Sequence, residues 1–162
     1  MDKNVREREF VELMRELLES DQVRMMGRWR HHGPVTTLDH SLFVAYNAYR
    51  MARWFGMDAL AAARGGLLHD LYLYDSKDKS AHPGNQCFDH PRFAARNAEK
   101  ITALSPKERN IILSHMWPLG GVLPRCREAL VVNVADKVCA TLEVVHLYQT
   151  RRVQRWLPLS AA

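Results

Sequence analysis

The sequence predicts an all-α protein. Apolar residues recur at helical spacing, Ser, Thr and Asp capping signals punctuate the runs, and no segment alternates as a half-buried strand does. At 162 residues the chain fits one domain, and a core of that size buries roughly 68–70% of the unfolded surface.

Six helices are expected, in order. Val5, Phe10, Leu13, Met14, Leu17 and Leu18 lie among charges over residues 3 to 19, giving a first helix with one apolar face that packs on the rest. Residues 22 to 34 show no helical period and are expected to be irregular. Thr36 or Thr37 caps a second helix, with Asp39 in its first turn, where a negative charge suits the helix dipole; Gly56 is its expected stop. Asp58 caps the third helix, from Ala59 to about Leu71. Tyr72 to Asp89 is then a long loop, of the kind that is usually functional or disordered. Pro91 is expected in the first turn of the fourth helix, which puts His90 at or beside its cap. Ser105-Pro106-Lys107-Glu108 is a capping box opening the fifth, which stops before Pro118. The sixth is expected from about Arg125 to Arg155, with Arg151, Arg152 and Arg155 forming a solvated basic end.

Composition narrows the function. Lys and Arg number 23 against 18 Asp and Glu, for a net charge of +5. That excess favours anionic partners such as nucleotides or other phosphorylated molecules, and is too mild and scattered to predict a stable nucleic-acid partner. The cysteines, Cys87, Cys126 and Cys139, form no CxxC pair, and their odd count suits a reducing compartment. The N-terminus has no apolar leader segment, and no apolar run approaches the roughly 20 residues of a membrane helix. A cytoplasmic protein without membrane association is expected.

Chemistry concentrates at His69-Asp70, which ends the small and apolar run Gly65-Gly66-Leu67-Leu68. A buried ionised carboxylate costs several kcal/mol unless a charge partner neutralises it, and a metal ion is the partner that also uses the adjacent imidazole. His40, His90, His115 and Asp136 are the other candidates. Asp136 follows the apolar run from Ala129 to Ala135, and its helical-face companions are Val132, Cys139, Ala140 and Glu143, so it is expected to point inward. Asp70 has two carboxylate oxygens and can bridge two ions. His40, His69 and Asp136 would complete one ion's ligands, and His90 with His115 the other's. Nitrogen and oxygen ligands mixed in this way suit iron or manganese, with cobalt, nickel or zinc also possible. Taken singly, each residue also has a plain structural reading: His90 as a helix cap, His115 as a histidine favoured by the helix dipole.

The ordered motifs resemble the HD-domain superfamily of metal-dependent phosphohydrolases. The flanks that carry the resemblance are Leu38-Asp39-His40-Ser41-Leu42-Phe43-Val44-Ala45, Ala63-Arg64-Gly65-Gly66-Leu67-Leu68-His69-Asp70 and Val134-Ala135-Asp136-Lys137. His90-Pro91 and His115 resemble the subset with two metal ions, and the match covers about residues 36 to 145. It implies a compact helical bundle with metals at its centre. Leu71-Tyr72 follows the pair where cyclic-dinucleotide phosphodiesterases of the superfamily carry Ile-Gly-Lys, and no Gly-Tyr-Pro motif is present, so that subfamily is disfavoured.

The expected activity is hydrolysis of a small phosphorylated metabolite or nucleotide, with Asp70 and Lys137 as catalytic residues. Cations must receive the phosphate's charge: Lys77 and Lys79 in the long loop, Arg92 after His90, and Lys137, since the resemblance carries an Asp-Lys pair there. His32 is near the second helix and could lie at the pocket or be exposed. His82 and His146 are not expected to be ligands, and Cys139 is expected in the core. The same ligand order occurs in HD-type mixed-valence di-iron oxygenases, which leaves an oxygenase, or a metal-binding module without catalysis, as alternatives.

Overall fold

A computed structural model describes residues 3–31, 33–76, 78, 80 and 84–145. Among them are seven α-helices and no strand: α1 (Lys3–Glu19), α2 (Asp21–Met25), α3 (Thr37–Trp54), α4 (Ala59–Leu68), α5 (Gln86–Ile101), α6 (Pro106–Ser114) and α7 (Arg127–Val144). The all-α expectation holds. The short α2, continued by a 3-10 turn at Met26–Arg28, occupies part of the stretch expected to be irregular.

α3 is the central element, because it is apolar on two faces. Leu42, Tyr46 and Tyr49 pack with Phe10, Met14 and Leu18 of α1, Leu67 and Leu68 of α4 and Ala94 of α5. On the other face, Val44, Ala48 and Ala52 pack with Ala62 of α4, Ile111 of α6 and Val132, Ala135 and Cys139 of α7. A helix covered on both sides can carry a buried polar residue only if that residue is satisfied inside. His40 is such a residue, at 0% exposure.

The starts of α3 and α6 follow their sequence signals. Thr36 accepts from the Asp39 N–H and the Asp39 carboxylate accepts from the Thr36 N–H; Ser105 and Glu108 repeat the arrangement at α6. Each cap satisfies two N–H groups that a helix start otherwise leaves unpaired. Asp58 caps α4 by accepting from Ala61. α4 then lies against α3 with its glycines inward. A Cβ on Gly66 would stand 2.9 Å from the Ala45 Cα, and one on Gly65 would stand 2.5 Å from the Ile111 Cγ2. Only glycine allows that approach.

Three expected boundaries are corrected. α4 ends at Leu68 rather than Leu71: His69 is its cap residue, the Tyr72 N–H donates to the Asp70 carbonyl, and Leu73 turns the chain at φ 55°. α5 begins at Gln86, so His90 and Pro91 lie inside it rather than at its start. Asn85 is the true cap, accepting from the Cys87 N–H. Pro91 has no N–H for the Cys87 carbonyl, while the turn before it is tightened by the His90 ring, whose Nδ1 donates to the Gln86 carbonyl at 2.5 Å. α7 begins at Arg127 rather than Arg125, and its expected extension to Arg155 lies outside the described residues.

Candidate metal centre

Five imidazoles and two carboxylates meet where α3, α4, α5, α6 and α7 converge. His40 comes from α3, His69 and Asp70 from the end of α4, His90 from α5, His115 from the end of α6 and Asp136 from α7. The fifth imidazole, His31, comes from the segment before α3. An isolated antiparallel bridge between Arg30 and Thr36 holds it there, with the His31 N–H donating to Val35 and the Thr37 N–H to Trp29.

Every ring is tied at Nδ1. A carbonyl can only accept, so His69, His90 and His115 donate from Nδ1 to the carbonyls of Gly66, Gln86 and Ile112 at 2.7, 2.5 and 2.7 Å. His31 and His40 place Nδ1 at 2.9 and 2.7 Å from the two oxygens of Glu143. Fixing Nδ1 in this way sets the tautomer and turns Nε2 toward the shared volume, the arrangement that metal-binding histidines use.

The Nε2 atoms surround the carboxylates. Asp70 Oδ2 lies 3.6 Å from Nε2 of both His31 and His69, while its Oδ1 lies 3.3 Å from His90 and 3.6 Å from His115. Asp136 Oδ1 is 3.1 Å from His40 Nε2 and 3.6 Å from His69 Nε2. Three sets, His31–His40–Asp70, His40–His69–Asp136 and His69–Asp70–His115, each have ligand atoms within 4.8 Å of one another. Donors bound at about 2.1 Å to one ion stand about 3–4.2 Å apart, so the spacing fits.

The protonation chemistry fits too. His69 Nε2 is buried with no hydrogen-bond partner. His90 and His115 bring Nε2 atoms within 2.8 Å of each other. Burial and then the neighbouring His69 and His90 push His115 down to about 3, so it keeps a lone pair that needs a proton or a cation opposite. Burial disfavours a charge on His40, but Asp136 and Glu143 outweigh it and push its pKa up to about 10. The carboxylates that hold a proton there could equally hold a divalent ion. Burial opposes ionisation of Asp70 as well, yet His69, His90 and His115 keep it well below the usual carboxylate range. Asp136 is held low by His40 and His69 against the same burial.

The cluster opens into a cavity of about 410 Å³ whose walls include Tyr72, Gln86, Cys87, Met116, Leu119 and Lys137. Lys137 donates from Nζ to the His115 carbonyl at 3.1 Å, and burial lowers its pKa. Arg92 is exposed and absent from the cavity wall. With α5 starting at Gln86, it stands two residues and about 200° around the helix from His90. Lys77, Lys79, His32, His82 and His146 lie outside the described residues. Cys139 is buried in the core, as expected.

His31 and Glu143 were not in the expected ligand set. His31 belongs to no periodic segment, so its direction depends on the bridge to Thr36. Glu143 is legible only as a residue on the Asp136 face of α7, two turns on.

An all-α bundle with histidines and aspartates converging from separate helices defines a candidate metal-binding helical scaffold. The HD domain family matches residues 37–141, and the chain belongs to the HD-domain superfamily of metal-dependent phosphohydrolases. Ribonuclease Y of Thermotoga petrophila, of Thermotoga sp. (strain RQ2) and of Thermotoga maritima is similar, each 31% identical over 125 residues, or 76% of this chain. The chain spans 22% of the length of these relatives. No solved structure matches it. No helix among the described residues is long and apolar enough to cross a membrane.

Proposed function

We propose that the protein is a metal-dependent phosphohydrolase acting on a small phosphorylated metabolite or nucleotide. The observation that carries this is Asp70, whose two oxygens face two different groups of imidazole Nε2 atoms. His40, His69, Asp136 and Asp70 Oδ2 would hold one divalent ion, and His90, His115 and Asp70 Oδ1 a second. The donor chemistry suits iron or manganese, with cobalt, nickel or zinc as possible substitutes. Divalent ions supply Lewis acidity to a phosphoryl group and make water acidic enough to act as a nucleophile near neutral pH.

The chain's own residues do the rest. Asp70 fixes the spacing of the two halves, and the Nδ1 anchors hold each ring without reorganisation. Lys137, at the cavity wall beside Asp136, would receive charge from the phosphate. Met116 and Leu119 give the cavity an apolar side for the remainder of a small substrate.

A second reading, an RNA phosphodiester as substrate, is favoured by the likeness to ribonuclease Y. One set of assays separates the readings. Purified protein is analysed for bound metal, then tested with Mn under strict anaerobiosis on small phosphomonoesters, nucleotides and single-stranded RNA. Phosphate release from the small substrates is the expected result. RNA cleavage alone would favour the second reading, and oxygen uptake with Fe in place of hydrolysis would overturn both.

A further inference from the structure

We infer that His31 and Glu143 belong to the metal centre: His31 Nε2 is a further ligand on the Asp70 Oδ2 side, and Glu143 is the positioning residue that aims His31 and His40. This rests on reading the cluster as a metal centre.

The His31 ring lies in register with the established candidates. It stacks on His40 with centroids 3.8 Å apart and planes 22° apart. Its Nε2 is as far from Asp70 Oδ2 as that of His69, at 3.6 Å. Glu143 is 2% exposed and gives one oxygen to each ring. A carboxylate behind an imidazole fixes the ring and makes it a stronger donor, and removing such a partner typically weakens metal binding 10–100-fold.

Counting His31 widens the difference between the two sides. The Oδ2 side offers His31, His40, His69, Asp136 and Asp70, whereas the Oδ1 side offers His90, His115 and Asp70. A shell filled by protein donors holds its ion tightly and leaves little room for anything else. A shell of three protein donors keeps positions open for water and substrate, as catalytic metal sites do. The Oδ2-side residues would therefore hold their ion more tightly, and the His90–His115 side would be left open to exchange and phosphate contact.

The test is calorimetric titration of Mn into the chelator-stripped full chain, with electron paramagnetic resonance on the same samples. Wild type is expected to show a tight and a weak class of site. His31→Gln, His31→Asn and Glu143→Gln should weaken the tight class 10–100-fold and leave the weak class in place, while His115→Gln should remove only the weak class. Far-UV circular dichroism identifies which variants fold, and the paired His31 substitutions keep the question open to refutation if one does not. Unchanged tight binding in a folded His31 variant would overturn its assignment as a ligand, and unchanged binding in Glu143→Gln would overturn the positioning role. A wild-type protein that binds no divalent metal would instead refute the metal centre itself. Hydrolysis is not the readout, so a wrong substrate class would leave this result standing.

Discussion

On one side of Asp70, His31 and His40 are aimed by a side-chain carboxylate from the far end of α7. On the other, His90 and His115 are aimed by carbonyls of their own helices, four and three residues back. The second kind of anchor forms when its helix forms. The first exists only when α7 has docked, since Glu143 is separated from the two histidines by 112 and 103 residues. The difference reaches the chemistry. Burial raises the energy of the Glu143 charge, yet His31 and His40 outweigh it and hold its pKa down to about 2, so the braced side is strongly charged. On the carbonyl-anchored side, burial and the neighbouring His69 and His90 lower the His115 pKa to about 3, so that ring is neutral. His69 is intermediate, facing the braced side but anchored locally through Gly66.

The comparison breaks most completely at Asp70. Asp70→Ala removes an oxygen from both sides, so metal content should fall toward zero and hydrolysis by at least about 1,000-fold. Either metal class surviving intact would show that the carboxylate does not bridge. His90→Gln should cost only one side: bound metal falls from two equivalents to one, and turnover drops by about 100-fold. Gly66→Ala acts through packing, because the new Cβ meets the α3 backbone at Ala45. A loss of about 1–3 kcal/mol in chemical denaturation is expected, together with weaker metal binding as the His69 anchor shifts. Lys137→Met should raise KM for a phosphomonoester by about 10-fold with metal content unchanged; a fall in metal instead would make Lys137 a structural partner of His115.

The smallest effect is a control outside the centre. Burial opposes ionisation of Glu128, but the Asp58 N–H and Lys107 help hold its pKa down to about 2, below the usual glutamate value of 4.5. A carboxyl whose folded pKa is depressed stabilises the fold above its unfolded pKa and loses that contribution as pH falls toward its folded one. Glu128→Gln should therefore flatten the stability profile between pH 4.5 and about 2 without altering metal affinity at neutral pH. An unchanged acid limb in this variant would remove the assigned cause.

How much of this the sequence shows depends on whether a residue's role is local. Thr36 with Asp39 and Ser105 with Glu108 are short-range devices, and both helix starts stand where those signals put them. His40, His69, Asp70 and Asp136 could be picked out as polar residues in apolar helical surroundings, and His115 by its place at the end of a helix and the family resemblance. The start of α5 was misplaced because Pro91 suggested a first turn, while Asn85 makes the cap and His90 tightens the turn before the proline. His31 and Glu143 answer to a contact across most of the chain, and no local pattern encodes that.

Gly66 unites two constraints in one residue. Its missing side chain lets α4 approach Ala45, and its carbonyl aims His69. Drift at this position is thus restrained by packing even in a lineage under no selection for catalysis. Descendants that lose the chemistry should shed His69 or Asp70 first and keep the glycine as a relic. A descendant that lost the glycine but retained both His69 and Asp70 would have had to re-space its two central helices.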